Sequence, residues 1–99
     1  MDKDIKSMVD AQPKLSLKLN KGEHHRIMKI GWDGSLWIFK TETRGYRVET
    51  TGSVGTRLNP RIKNLLKKDY DHETAKGYKI WFVETIGEVK KIIEIYGQI

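Results

Sequence analysis

Between Pro13 and Leu19 apolar and polar residues alternate strictly, with Leu15, Leu17 and Leu19 on one side and Lys14, Ser16 and Lys18 on the other. Successive side chains of an extended chain point to opposite faces, so this pattern predicts a half-buried strand with a basic outer face. Turn chemistry at Asn20, Lys21 and Gly22 leads into a second strand, HHRIMKIGW, which carries Ile27, Met28, Ile30 and Trp32. Asp33-Gly34 then separates two apolar runs, and that dipeptide suits the doubly positive φ angles of a two-residue hairpin. SLWIFKT is the third strand, and Arg44-Gly45 turns the chain into GYRVETT, the fourth. Strands joined by short turns pair with their sequence neighbours, which makes a meander. Its register, which the letters leave open, decides whether Lys29, Lys40 and Arg47 gather on one face.

Beyond Gly52 the period lengthens. Asn59-Pro60 reads as a helix start, because Asn accepts from free first-turn amides and proline lacks only a donor that would have been idle. Ile62, Leu65 and Leu66 then share the packing face, while Arg61, Lys63, Asn64, Lys67 and Lys68 fill the remaining arc of about 160°. DYDHETAKG is a polar connection, and YKIWFVE, apolar on both faces, predicts a central strand. Thr85 and Glu88 form a capping box that opens the last helix. Val89, Ile92, Ile93 and Tyr96 are its buried stripe, and Gly97 suits a left-handed end. Near the N-terminus, Ile5, Met8 and Val9 stand at helical spacing, so residues 1–12 hold either a short helix docked on the rest or a frayed segment. The predicted class is α+β, a mostly antiparallel sheet of about five strands with two main helices packed on one face. It forms a single domain over residues 1–99.

Charge changes this picture more than composition does. Residues 14–68 carry a net +9, against −1 before them and −2 after them, within a total of +6. A field of one sign holds and steers polyanions. The sharpest concentration is Thr50 to Lys68, with five Lys or Arg and no acid. With no cysteine in the chain, disulfides, thiolate zinc sites and thiol nucleophiles are excluded together. The charged N-terminus and the lack of a long apolar run predict a cytoplasmic protein with no membrane partner.

These charges nominate Arg57, Arg61, Lys63, Lys67 and Lys68 as phosphate contacts, with Arg44 and Arg47 joining from the preceding hairpin. The amides of TGSVGT, before the expected helix start, would add an anion-binding loop. That loop is not a Walker motif, since no Gly-Lys-Ser/Thr follows at the right spacing. Trp37 beside Lys40 and Tyr46 beside Arg47 interleave rings with cations in the manner of single-strand binders, although the sheet also needs such rings for its core. His24 and His25, adjacent in a strand, point apart and make no metal site. Asp69, Asp71 and Glu73 begin like a calcium loop, but Thr74 and Ile80 occupy the positions of its glycine and glutamate. Neither a metal, a cofactor nor a catalytic group is therefore expected, and the expected function is non-enzymatic nucleic-acid binding.

Two stretches add a resemblance. TAKGYKIWF, residues 74–82, resembles the ending of small DNA-binding repeats attached to phage homing endonucleases. GYKIWFVETIGEVKKIIEIYG, residues 77–97, resembles the strand, threonine cap and helix closing the three-stranded DNA-binding domains of tyrosine recombinases and plant ethylene-response factors. The resemblance implies DNA in preference to RNA and a phage or mobile-element origin, and it assigns no residue a role. Two alternatives stand beside it: a phage-type inhibitor or adaptor binding a host protein, with Ile95 as a contact, and a metal-dependent nuclease using Asp71, His72 and Glu73. An exposed edge of the meander would also allow a homodimer.

Overall fold

The computed structural model describes residues 3–12, 15, 17–20, 27–30, 36–41 and 45–99. Its elements run α1 (Lys3–Asp10), β1 (Leu17–Asn20), β2 (Ile27–Ile30), β3 (Leu36–Lys40), β4 (Tyr46–Thr50), α2 (Gly52–Leu66), β5 (His72–Glu73), β6 (Lys79–Val83) and α3 (Ile86–Gln98). The six strands form one antiparallel sheet in the order β1-β2-β3-β4-β6-β5. This is the expected α+β meander, lengthened by the two-residue β5 within the run read as a connection. Asp33-Gly34, Arg44 and the two histidines at 24 and 25 lie outside the described residues.

The period of two decides which face is the core. Leu36 and Ile38 of β3, Val48 of β4, and Trp81 and Val83 of β6 are buried in one cluster with Leu58 and Ile62 of α2 and Val89, Ile92 and Ile93 of α3. The helices therefore cover one face of the sheet. Ile5 and Val9 of α1 join the same cluster, so the N-terminal segment is a docked helix. Just past its end the Gln12 side chain lies against Gly97, and a Cβ there would require that side chain to move. The expected left-handed end at Gly97 is not there, since the helix runs through it to Gln98. The capping box is present as expected: Thr85 Oγ1 accepts from the Glu88 amide at 3.2 Å, and the Thr85 amide donates to Glu88 Oε1 at 3.3 Å.

The start of α2 corrects the sequence reading. The helix begins at Gly52, two turns before Asn59-Pro60, and Pro60 lies inside it. Gly55, Leu58 and Ile62 form a continuous buried stripe, and tertiary burial of that stripe outweighs the poor helix propensity of Gly, Ser, Val and Thr. The chain enters through Gly52 at φ 72°, a left-handed conformation that glycine adopts freely. Asn59, instead of capping, faces inward. Its Oδ1 accepts from Thr50 Oγ1 at 2.6 Å and from Trp81 Nε1 at 3.2 Å, tying α2 to β4 and β6.

Candidate nucleic-acid interface

On the outward side of α2, Arg57, Arg61 and Asn64 form one exposed row, and Thr56, Pro60, Lys63 and then Lys67 form a second beside it. The helix contains no Asp or Glu. Arg61 Nη2 donates to the neutral Gln98 Oε1 at 3.1 Å, and Lys63 Nζ stands 3.4 Å from Asp69 Oδ2, an exposed pair of little energetic weight. Among the described residues, Arg57 and Lys67 enter no ion pair. Arg57, Arg61 and Lys63 are thus exposed on the side of α2 away from its buried stripe.

Two of the expected contributors stand elsewhere, and a third closes the helix. Lys67 lies past the last helical residue, at φ 58° and ψ 35°, where its N–H donates to the Lys63 carbonyl. Lys68 turns back to the sheet: its Nζ lies 2.7 Å from Asp71 Oδ2 and 2.7 Å from the Phe82 carbonyl. Arg47 belongs to the opposite side of the molecule, because it is opposite Phe39 and Phe82 in register on the face away from the helices. There its guanidinium lies 4.2 Å above the Phe39 ring. Its Nε is buried without a hydrogen bond, 3.6 Å from Glu49 Oε1. Lys40 has the other parity and sits over Tyr46 on the helix side, so Lys40 and Arg47 do not gather. The TGSVGT segment forms the first turns of α2, which removes the anion-binding loop expected there.

The rings divide in the same way. Trp37 and Phe39 stack on the outer face at 6.3 Å, whereas Tyr46 packs against the core. Phe82, also outward, is 50% exposed. Ile95 is partly buried against the core.

At the far edge of the sheet, burial would raise the Asp71 pKa, but hydrogen bonds from Lys68 and from the Phe82 amide, with the Lys68 charge, outweigh it and hold the carboxyl below its ordinary 3.8. Asp71 is engaged, His72 and Glu73 are consecutive in a strand, and among the described residues no three His, Asp or Glu side chains converge on a point.

Sequence reasoning missed one feature, an open pocket of about 390 Å³ between α2 and the β5–β6 edge. Asn59, Pro60 and Lys63 form one wall, and Tyr70, Lys79 and Trp81 the other. Tyr70 meets Trp81 edge-on at 6.2 Å, and Lys79 Nζ lies 4.6 Å over the Tyr70 ring while pairing with Glu73. The available signal was Lys79 itself, which shares strand parity with the buried Trp81 and Val83.

Comparison with known proteins finds no matching family model, no similar curated protein and no similar solved structure. Among the described residues no helix is long and apolar enough to cross a membrane.

Proposed function

We propose that this chain is a small, non-enzymatic nucleic-acid-binding domain that holds phosphates along the exposed side of α2. The supporting observation is the pair of adjacent rows bearing Arg57, Arg61 and Lys63 on a helix with no acid of its own, with Lys67 just past its last residue. Cations at neighbouring helical positions stand about 5 to 6 Å apart at Cβ, a spacing that lets several meet one phosphate backbone. Such contacts give affinity and position without reading a sequence. Lys68 is set aside from this group because its ammonium holds the sheet edge. DNA is favoured over RNA on the strength of the resemblance of residues 74–97 to DNA-binding modules.

Fluorescence anisotropy of labelled duplex DNA, single-stranded DNA and an RNA hairpin, at low and near-physiological salt, tests the proposal. Binding that falls steeply with salt is the expected result, and no binding to any probe at low salt would sink it.

A second reading, an adaptor for an acidic protein surface, is favoured by the half-exposed Phe82 next to Arg47 on the outer sheet face. It predicts that Phe82→Ser abolishes capture of one protein partner and leaves nucleic-acid binding unchanged.

A further inference from the structure

The pocket beside α2 has a donor-rich wall with a defined orientation. An indole N–H can only donate, so the Trp81 contact identifies the Asn59 atom facing it as oxygen. The same oxygen accepts from Thr50. Both bonds fix the Asn59 amide through its oxygen, Asn59 lines the pocket, and no described residue accepts from its Nδ2. Two further donors, Lys63 and Lys79, approach from opposite sides, and the Tyr70 ring, 38% exposed, and Pro60 supply flat apolar surface. Asp69 is the one carboxylate in the lining, and it is paired with Lys63.

We infer that this pocket takes a single nucleotide: a base packed against Tyr70 and Pro60, addressed by Asn59 Nδ2, with its phosphate between Lys63 and Lys79. The inference rests on the proposed nucleic-acid reading and gives it a subsite for an unpaired nucleotide. A volume of about 390 Å³ falls in the range of about 300 to 1,000 Å³ found for small-ligand sites. Base stacking on an aromatic ring is sequence-tolerant, whereas one fixed amide donor adds a preference among base edges. The lysines already have acid partners, Asp69 and Glu73, but exposed ion pairs are weak and a phosphate displaces them at little cost. Continuity supports the assignment, since Lys63 belongs both to the pocket and to the cationic rows of α2. Thr56, Pro60 and Lys63 of the second row line the pocket, so a strand held along that row meets it.

The test has two arms on the intact chain. In the first, 15N-labelled protein is titrated with cytidine and adenosine 5′-monophosphates, with the nucleosides, and with inorganic phosphate. Saturable shifts of the Trp81 indole and Asn59 amide signals are expected with the monophosphates, several-fold weaker ones with either part alone. No shift of these signals with any monophosphate would overturn a nucleotide site. In the second, Tyr70→Leu and Lys79→Met are compared with wild type on single-stranded and duplex DNA. An affinity loss of about tenfold for the single strand with the duplex little changed supports a strand-borne nucleotide. If wild type binds DNA and both variants match it on both probes, the pocket assignment falls and the α2 reading stands. If wild type binds no polymer yet the monophosphates shift Trp81, the α2 reading falls and the pocket serves free nucleotides.

Discussion

The Lys68 ammonium and the Asp71 carboxylate, 2.7 Å apart, together satisfy both backbone polar groups of Phe82. Asp71 Oδ2 accepts from the Phe82 amide at 2.8 Å, and Lys68 donates to its carbonyl at 2.7 Å. These groups face outward because β5 pairs only with Lys79 and Ile80 and then ends. Two side chains thus take the place of a missing strand and close an edge that would otherwise template pairing with another chain. Replacing Asp71 by Ala should cost about 1 kcal/mol, the scale of a charge-assisted bond discounted for its exposure. Hydrogen exchange at the Phe82 amide should quicken, and an unchanged rate would show that the carboxylate does not guard it.

The same pair predicts an acid dependence. A carboxyl whose pKa is lower in the folded than in the unfolded chain stabilises the fold above its unfolded value and loses that contribution as pH falls through its folded value. For Asp71, held below 3.8, the loss begins under about pH 4. Urea denaturation between pH 6 and 2 should therefore show a steeper acid decline for wild type than for Asp71→Asn, which keeps an acceptor for Phe82 without the titration. Parallel curves would remove Asp71 from the acid response.

Gly45 should tolerate no side chain. Its φ is 101°, and a Cβ there would stand 2.8 Å from the Val83 carbonyl oxygen. Its own carbonyl accepts from the Thr41 hydroxyl at 2.9 Å and from Lys40 Nζ at 3.2 Å, which holds the Gly45 backbone in place. Gly45→Ala is expected to lose about 2 to 3 kcal/mol in urea denaturation, combining backbone strain and clash. A loss under about 0.5 kcal/mol would mean that the Gly45 backbone shifts to accept a side chain.

Five of the six strands, the capping box and the last helix were legible because each is encoded locally, by a period of two or by residues three apart such as Thr85 and Glu88, whereas the two-residue β5 is too short to show a period. The start of α2 was not, because Asn59 and Pro60 carry strong local cap signals while the stripe that starts the helix at Gly52, Gly55 with Leu58 and Ile62, is defined by tertiary burial. Charge count located the cationic face but could not separate Arg57, which stands outward, from Lys68, whose role depends on a strand fourteen residues later. Register likewise put Arg47 and Lys40 on opposite faces, a distinction no single strand contains. The pocket is the extreme case, since Asn59, Tyr70 and Lys79 meet only after α2 and β6 have packed.

Asn59 provides a direct comparison of the two readings of α2. A cap residue replaced by Ala costs about 1 kcal/mol. The inward Asn59 instead satisfies Thr50 and Trp81, both about 1% exposed, and its loss leaves two buried donors without a partner. Asn59→Ala should then cost about 2 to 4 kcal/mol. It should also shift the near-ultraviolet circular dichroism of Trp81. A loss near 1 kcal/mol with an unchanged tryptophan environment would return Asn59 to the helix start.

Arg57 and Arg61 are the cleanest probes of the phosphate face, because neither supports the fold through an acid partner and Lys68, by contrast, would confound a binding assay with a loosened edge. Each phosphate neutralised by a protein cation contributes a slope of about −0.9 to the logarithmic salt dependence on duplex DNA. Arg57→Ala with Arg61→Ala should therefore flatten that slope by about 2 and weaken binding to all sequences alike. Lys67→Gly separates binding from folding in the opposite sense. Its left-handed backbone, at φ 58°, favours glycine by about 1 kcal/mol, so the variant should be more stable yet bind duplex DNA more weakly. A stabilised variant with wild-type affinity and salt slope would place Lys67 outside the interface and confine the phosphate contacts to the helix itself.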